Sequence, residues 1–195
     1  MGAASYTTLS RQSGLMREMR VVANNIANSA TTGYRSEGLI FSEYVRSAPG
    51  QQSLSMSRAN IYNTSQEQGH LTQTGGTFDF AVEGEGYFMV ETPLGERLTR
   101  AGAFSPNSEG DLVTMDGYRV LDAGGAPVFI PGTAKSIEVG ADGTISADGN
   151  SIGQIGLFQP ADKNTMIRED CVMFRVDGDI EPAETAAILQ GFTEG

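Results

Sequence analysis

The sequence has a single cysteine, a single histidine and a shortage of basic residues, and each scarcity closes off a class of function. One cysteine, Cys171, makes neither an internal disulfide nor a zinc site by itself. It stands between Asp170 and the apolar stretch Val172-Met173-Phe174, which predicts a thiol buried in a strand rather than a nucleophile. His70 is the only candidate centre for a histidine triad or metal cluster, and its polar surroundings predict a solvated side chain. No apolar run approaches the ~20 residues of a membrane span. The first twenty residues are polar and Ser/Thr-rich, without the apolar stretch of a secretory signal, which by itself predicts a cytoplasmic chain unless another export route serves it. Lys and Arg number 13 against 24 Asp and Glu, a net charge of −11. Arg58, Arg97, Arg100 and Arg119 are scattered among acids, so there is no basic stripe for a nucleic acid.

What the sequence does have falls into zones. The 195 residues suffice for one core of ordinary size, and 25 glycines against 7 prolines favour tight turns between short strands. Residues 5–28 have the period of a helix. Leu15, Met19, Val22 and Ile26 recur in steps of four, three and four, flanked by Leu9, Met16 and Ala23 at steps of seven. Such a stripe serves either as the inner face of a surface helix or as a seam for another helix, and periodicity alone leaves both open. The helix should stop near Asn28, because Asn24, Asn25 and Asn28 compete for backbone hydrogen bonds. Gly33 then supplies a residue that takes positive φ at little cost. Three clustered asparagines exceed what a stop signal needs, so they either cap their own chain or bond a neighbour.

Four segments follow from these textures: a helical segment 1–35, an extended connector 36–73, a β-rich domain 74–182 and the start of a C-terminal helical segment 183–195. The connector is expected because 47–57 is rich in Ser, Gln, Gly and Pro. In the β-rich domain Phe78, Phe80 and Val82 alternate with polar or small residues, and Tyr87-Phe88-Met89-Val90 follows. Turn signals recur at Glu109-Gly110, Asp116-Gly117, Gly124-Gly125, Asp142-Gly143 and Asp148-Gly149. The fold class is therefore mainly β: an antiparallel sandwich or barrel-like domain with an N-terminal amphipathic helix and an extended connector.

Chemistry is scarce. Glu83 and Glu85 share a strand face and could suggest a glycosidase pair, but Gly84 and Gly86 interrupt the strand. The Asp-Gly pairs lack the alternating acids and closing Glu of an EF-hand loop, so they read as hairpin turns. No catalytic, cofactor-binding or metal site emerges, and no cofactor is expected.

One stretch is far more specific. Ala23-Asn24-Asn25-Ile26-Ala27-Asn28-Ser29-Ala30-Thr31-Thr32-Gly33-Tyr34-Arg35 resembles the N-terminal signature of the flagellar rod and hook proteins. Phe78-Asp79-Phe80-Ala81-Val82-Glu83-Gly84-Glu85-Gly86-Tyr87-Phe88 and Leu98-Thr99-Arg100-Ala101-Gly102-Ala103-Phe104 resemble the same family. Within it the chain is most similar to the proximal rod type, with the distal rod type second; hook protein carries a longer middle region. The resemblance implies a non-catalytic subunit of the basal-body rod, with a helical inner part made from both chain ends and a β-rich domain projecting outwards. It implies partners among other rod subunits and copies of itself, passage through the flagellar export apparatus, and a place in the rod within the periplasmic space. Neither nucleic-acid binding nor membrane insertion is expected. The family continues past Gly195 with an Asn-containing turn and a C-terminal helix, so a longer parent chain is implied. The expected assembly interface is Leu9, Met16, Met19, Val22, Asn24, Asn25, Ile26, Asn28, Gly33 and Tyr34, with Gly33 needed for assembly and not for folding of the β-rich domain. A secreted β-domain binding a glycan or peptide is the alternative from another class.

Overall fold

The computed structural model describes the backbone of residues 2–46, 54–65 and 67–195, with side chains outside 2–7, 10 and 40–63. The chain divides into two compact units, Met1–Ser29 with Arg35–Glu67 and Ala30–Tyr34 with Gln68–Gly195.

In the first unit, helix α1 spans Gly2–Ala27. A run of Leu, Met, Ala and Arg without proline sustains it. Its end is closed by its own side chains. Asn28 donates from backbone and side chain to the Asn24 carbonyl, at 3.0 and 2.9 Å, and Ser29 does the same to the Ile26 carbonyl, at 3.3 and 2.9 Å. Strands β1 (Glu37–Arg46) and β2 (Leu54–Thr64) then form an antiparallel hairpin. Much of the expected extended connector is therefore paired strand; its residues 47–53 lie outside the described residues. A bulge hid the hairpin: Ile40 faces Ile61 while Phe41 faces Ala59, so Asn60 is an extra residue that breaks the two-residue period.

The second unit is antiparallel in every described pairing. It opens with β3 (Leu71–Gln73) and β4 (Phe80–Glu83), followed by the hairpin of β5 (Tyr87–Thr92) and β6 (Gly95–Thr99). Strands β7 (Phe104–Pro106), β8 (Leu112–Thr114) and β9 (Arg119–Val120) meander back to β5, where Val120 faces Val90. A separate sheet holds β10 (Ile137–Val139), β11 (Thr144–Ala147) and β12 (Asn150–Gln154). Strand β13 (Leu157–Pro160) returns to β5, while β14 (Met166–Arg168) and β15 (Met173–Val176) extend the sheet beyond β6. Strand β16 (Ile180–Pro182) pairs with β13, β17 (Ala187–Gln190) with β4, and β18 (Phe192–Glu194) with β3. The described strands close no barrel.

Strand β5 explains why Tyr87-Phe88-Met89-Val90 is apolar without alternation: both of its faces are covered. Phe88 and Val90 enter one core with Phe80, Phe104, Leu112 and Ile188. Tyr87 and Met89 enter a second with Leu98, Leu121, Phe158 and Phe174. Phe88 meets Phe104 edge-on at 5.2 Å between ring centroids, and Tyr87 meets Phe174 edge-on at 6.0 Å. The five predicted turns each place the second residue of the pair, a glycine, at φ between 82° and 94°.

Two expectations give way. The tail expected to be helical forms β17 and β18, because Ile188 is buried opposite Val82 and Gly191, at φ 78°, redirects the chain. Pairing across the domain outweighs the helix preference of its Ala-Ala-Ile-Leu run. Cys171 is exposed in the bend between β14 and β15, not buried in a strand. The Asp170 carboxylate accepts its backbone N–H at 2.7 Å and holds the bend.

Candidate functional site

The helix carries the most distinctive surface. At 100° per residue, Leu9, Leu15, Met16, Met19, Val22 and Ile26 share a face about 140° wide. All six are exposed, from 50% for Val22 to 71% for Met19. Val21, on the opposite side, is the buried residue among the described side chains of this helix, and it lies on the side where α1 packs against β2 and, less extensively, β1. The apolar stripe is thus turned away from its own hairpin.

The asparagines divide by role. Asn25 clamps the start of β1: its Nδ2 donates to the Glu37 carbonyl at 2.9 Å and its Oδ1 accepts the Glu37 N–H at 3.0 Å. Asn28 closes the helix end, as described above. Asn24 is exposed and contributes its backbone carbonyl to that closure.

Gly33 and Tyr34 lie elsewhere than the helix face, inside the second unit. Gly33 is buried, at φ 76°, and donates its N–H to the Glu194 carbonyl at 2.8 Å. It packs directly against the backbone of Ala101. Two of the sequence motifs therefore meet in space, Thr-Thr-Gly-Tyr against Arg-Ala-Gly-Ala-Phe. The Arg168 guanidinium is stacked between the rings of Tyr34 and Phe174, at 4.9 and 4.8 Å. Gly33 serves the packing of the β-rich unit itself and does not act as the helix stop, which falls six residues earlier at Ala27.

The β-rich unit also holds a buried ion pair that composition and spacing did not signal. Arg100 and Glu194 lie 2.9 Å apart with both side chains 3% exposed. The place of Arg100 within Leu98-Thr99-Arg100-Ala101-Gly102-Ala103-Phe104 was the available clue. Arg97, also buried, pairs with Glu169 at 2.5 Å. His70 and Glu83 are exposed, and Glu85 is gripped by Lys163 at 2.7 Å, a hydrogen bond and charge that hold its carboxyl below the ordinary range. Asp142 is lowered too, by the Thr144 hydroxyl and N–H that it accepts at 2.7 and 3.0 Å. Among the described residues no cluster of three His, Cys, Asp or Glu side chains is arranged to hold a metal.

Comparison with known proteins follows the same two regions. Residues 6–35 match the family described as flagella basal body rod protein, and residues 81–147 match the D1 domain of flagellar hook protein FlgE/F/G. The flagellar basal-body rod protein FlgF of Mesorhizobium japonicum is 35% identical over 192 residues, covering 97% of this chain and 79% of that protein. The FlgF of Caulobacter vibrioides is 37% identical over 200 residues, covering 100% and 82%. This chain belongs to the FlgF-like flagellar basal-body rod proteins. It is a structural subunit of the rod. The FlgG of Bacillus subtilis is also similar, at 32% identity over 218 residues, 97% of this chain and 82% of that protein. The rod-family match includes the exposed face of α1, all three asparagines, Gly33 and Tyr34, while the D1 match begins in β4 and closes with β11.

Proposed function

We propose that this rod protein assembles through the apolar face of α1, which packs against helices of neighbouring axial subunits and of further copies of the chain. One observation carries the reading: six large apolar side chains stand 50–71% exposed on a single helix face. Covering them would contribute on the order of 5–10 kcal/mol before ordering costs are subtracted. The β-rich unit keeps its own two cores and needs no partner to bury them.

The work of the chain is packing, without catalysis. It travels through the flagellar export apparatus and takes its place where the rod crosses the periplasmic space. It binds no nucleic acid, a reading supported by the net charge of −11. It inserts into no membrane; no described helix is long and apolar enough to cross one. Its position is in the proximal rod, with the distal rod as the alternative. Identities of 35% and 37% to FlgF proteins over 97% and 100% of the chain support that order, against 32% over 97% for one FlgG and 36% over only 66% for another.

A photo-crosslinking amino acid at Met19 of the full-length protein in motile cells tests the reading. The expected product in isolated basal bodies is an adduct with another axial subunit or a second copy. Adducts formed instead from the exposed β-unit position Met115, with none from Met19, would overturn it.

A further inference from the structure

We propose that the Arg100–Glu194 pair is a latch that makes docking of β18 and the path of the chain after the helix, Ala30–Tyr34, a single cooperative event. Glu194 joins three distant parts of the β-rich unit. Its Oε2 accepts from Arg100 Nη1 at 2.9 Å, its Oε1 from the Gly69 N–H at 2.8 Å, and its backbone carbonyl from the Gly33 N–H at 2.8 Å. Arg100 continues the connection, donating to the carbonyls of Val82 at 2.9 Å and Gly84 at 2.5 Å. Its guanidinium also lies 5.1 Å from the centroid of the Tyr87 ring.

Both charges are buried, so separating them removes a charge-assisted contact in a poorly solvated place. Undocking β18 would withdraw the carboxylate from Arg100 and Gly69 together with the acceptor from Gly33. Beside it, His70 and Gly195 exchange two backbone hydrogen bonds, at 3.2 and 3.0 Å, which would part in the same motion. Gly33 is held backbone to backbone against Ala101, the neighbour of Arg100, so its own hold at this point is through the main chain. The residues after the helix and the final strand thereby meet at Glu194, whose ion-pair partner lies 94 positions away. Such a unit should open below the free energy of global unfolding, leaving the sheet around β5 closed.

Amide hydrogen exchange on the full chain separates this from ordinary packing. In Glu194→Gln, the amides of Gly33, Gly69, His70 and Gly195 should exchange at least tenfold faster and together. The amides of Leu121 and Val128, which donate to Met89 and Val120 across the central sheet, should be unchanged. The exposed control Glu181→Gln should alter none of them. If Glu194→Gln does not fold, Glu194→Asp, which keeps the charge but shortens its reach, should give the same pattern. Acceleration at Gly69 with Gly33 unchanged would overturn the latch, leaving a local hydrogen bond. Equal acceleration at Leu121 and Val128 would overturn it too, because the pair would then belong to the global core.

Discussion

Gly33 and Ala101 meet backbone to backbone: a β-carbon on Gly33 would stand 2.2 Å from the Ala101 nitrogen. Gly33 also holds φ at 76°, where a side chain adds roughly 1 kcal/mol or more of strain. Gly33→Ala should therefore destabilise the β-rich unit by about 2 kcal/mol or more. Urea unfolding of the purified chain measures it. This reverses the expectation that Gly33 matters only for assembly, because the residue is part of the unit's own packing.

Asn25 and Asn24 should behave oppositely although they are neighbours. Asn25→Ala removes both hydrogen bonds to Glu37 and should cost about 1–2 kcal/mol, seen as faster exchange of the Glu37 amide. Asn24→Ala should leave that amide unchanged and raise helicity slightly, because alanine is the better helix former by a few tenths of a kcal/mol. Circular dichroism and exchange of the same two variants give both readings.

Gly102 offers a second close approach. A β-carbon there would lie 1.7 Å from the Phe80 carbonyl, which is held where β4 begins by the Phe80 N–H donating to the Gly102 carbonyl at 2.8 Å. Gly102→Ala should cost about 3 kcal/mol or more through displacement of buried Phe80. A melt that shifts no further than for an exposed-site control such as Gly132→Ala would contradict that packing.

Much of this was legible in the sequence, and the failures have physical causes. The turns were visible because each needs a left-handed residue, and Asp-Gly or Gly-Gly is an economical way to supply one. The helix was visible because its apolar stripe repeats over three heptads. The β1–β2 hairpin was missed because the extra residue at Asn60 shifts the period midway. The tail was misread because Ala186, Ala187, Ile188 and Leu189 favour helix locally, whereas the pairing of Ile188 with Val82 is set over a hundred residues away. Cys171 was misplaced because its apolar neighbours begin a strand two residues later, at Met173. Of the residues expected at the interface, Leu9, Met16, Met19, Val22 and Ile26 share the exposed helix face, while Gly33 and Tyr34 are used within the β-rich unit. The helical period marked the first five and the motif over residues 23–35 the last two; only the fold shows that Gly33 and Tyr34 pack within the β-rich unit.

Glu85 supplies a check on the surface electrostatics. Its carboxyl titrates below the ordinary range because Lys163 favours the charged form. A depressed folded value stabilises the fold above the unfolded carboxylate pKa and loses that contribution as pH falls through the folded value. In Lys163→Ala, carbon-detected NMR should show Glu85 titrating at higher pH than in the parent chain. An unmoved Glu85 titration would show that the ion pair does not persist in solution.

The central claim is that the exposed face of α1 builds the rod. The direct measurement pairs Leu15→Asp with Met19→Asp in the full-length protein, with one readout on the purified monomer and one in a complemented deletion strain. Both side chains are exposed, at 59% and 71%, so the melting of the β-rich unit should stay within about 0.5 kcal/mol of the parent. Motility should be lost and isolated basal bodies should lack completed rods. Normal motility with intact rods in this double variant would contradict the account.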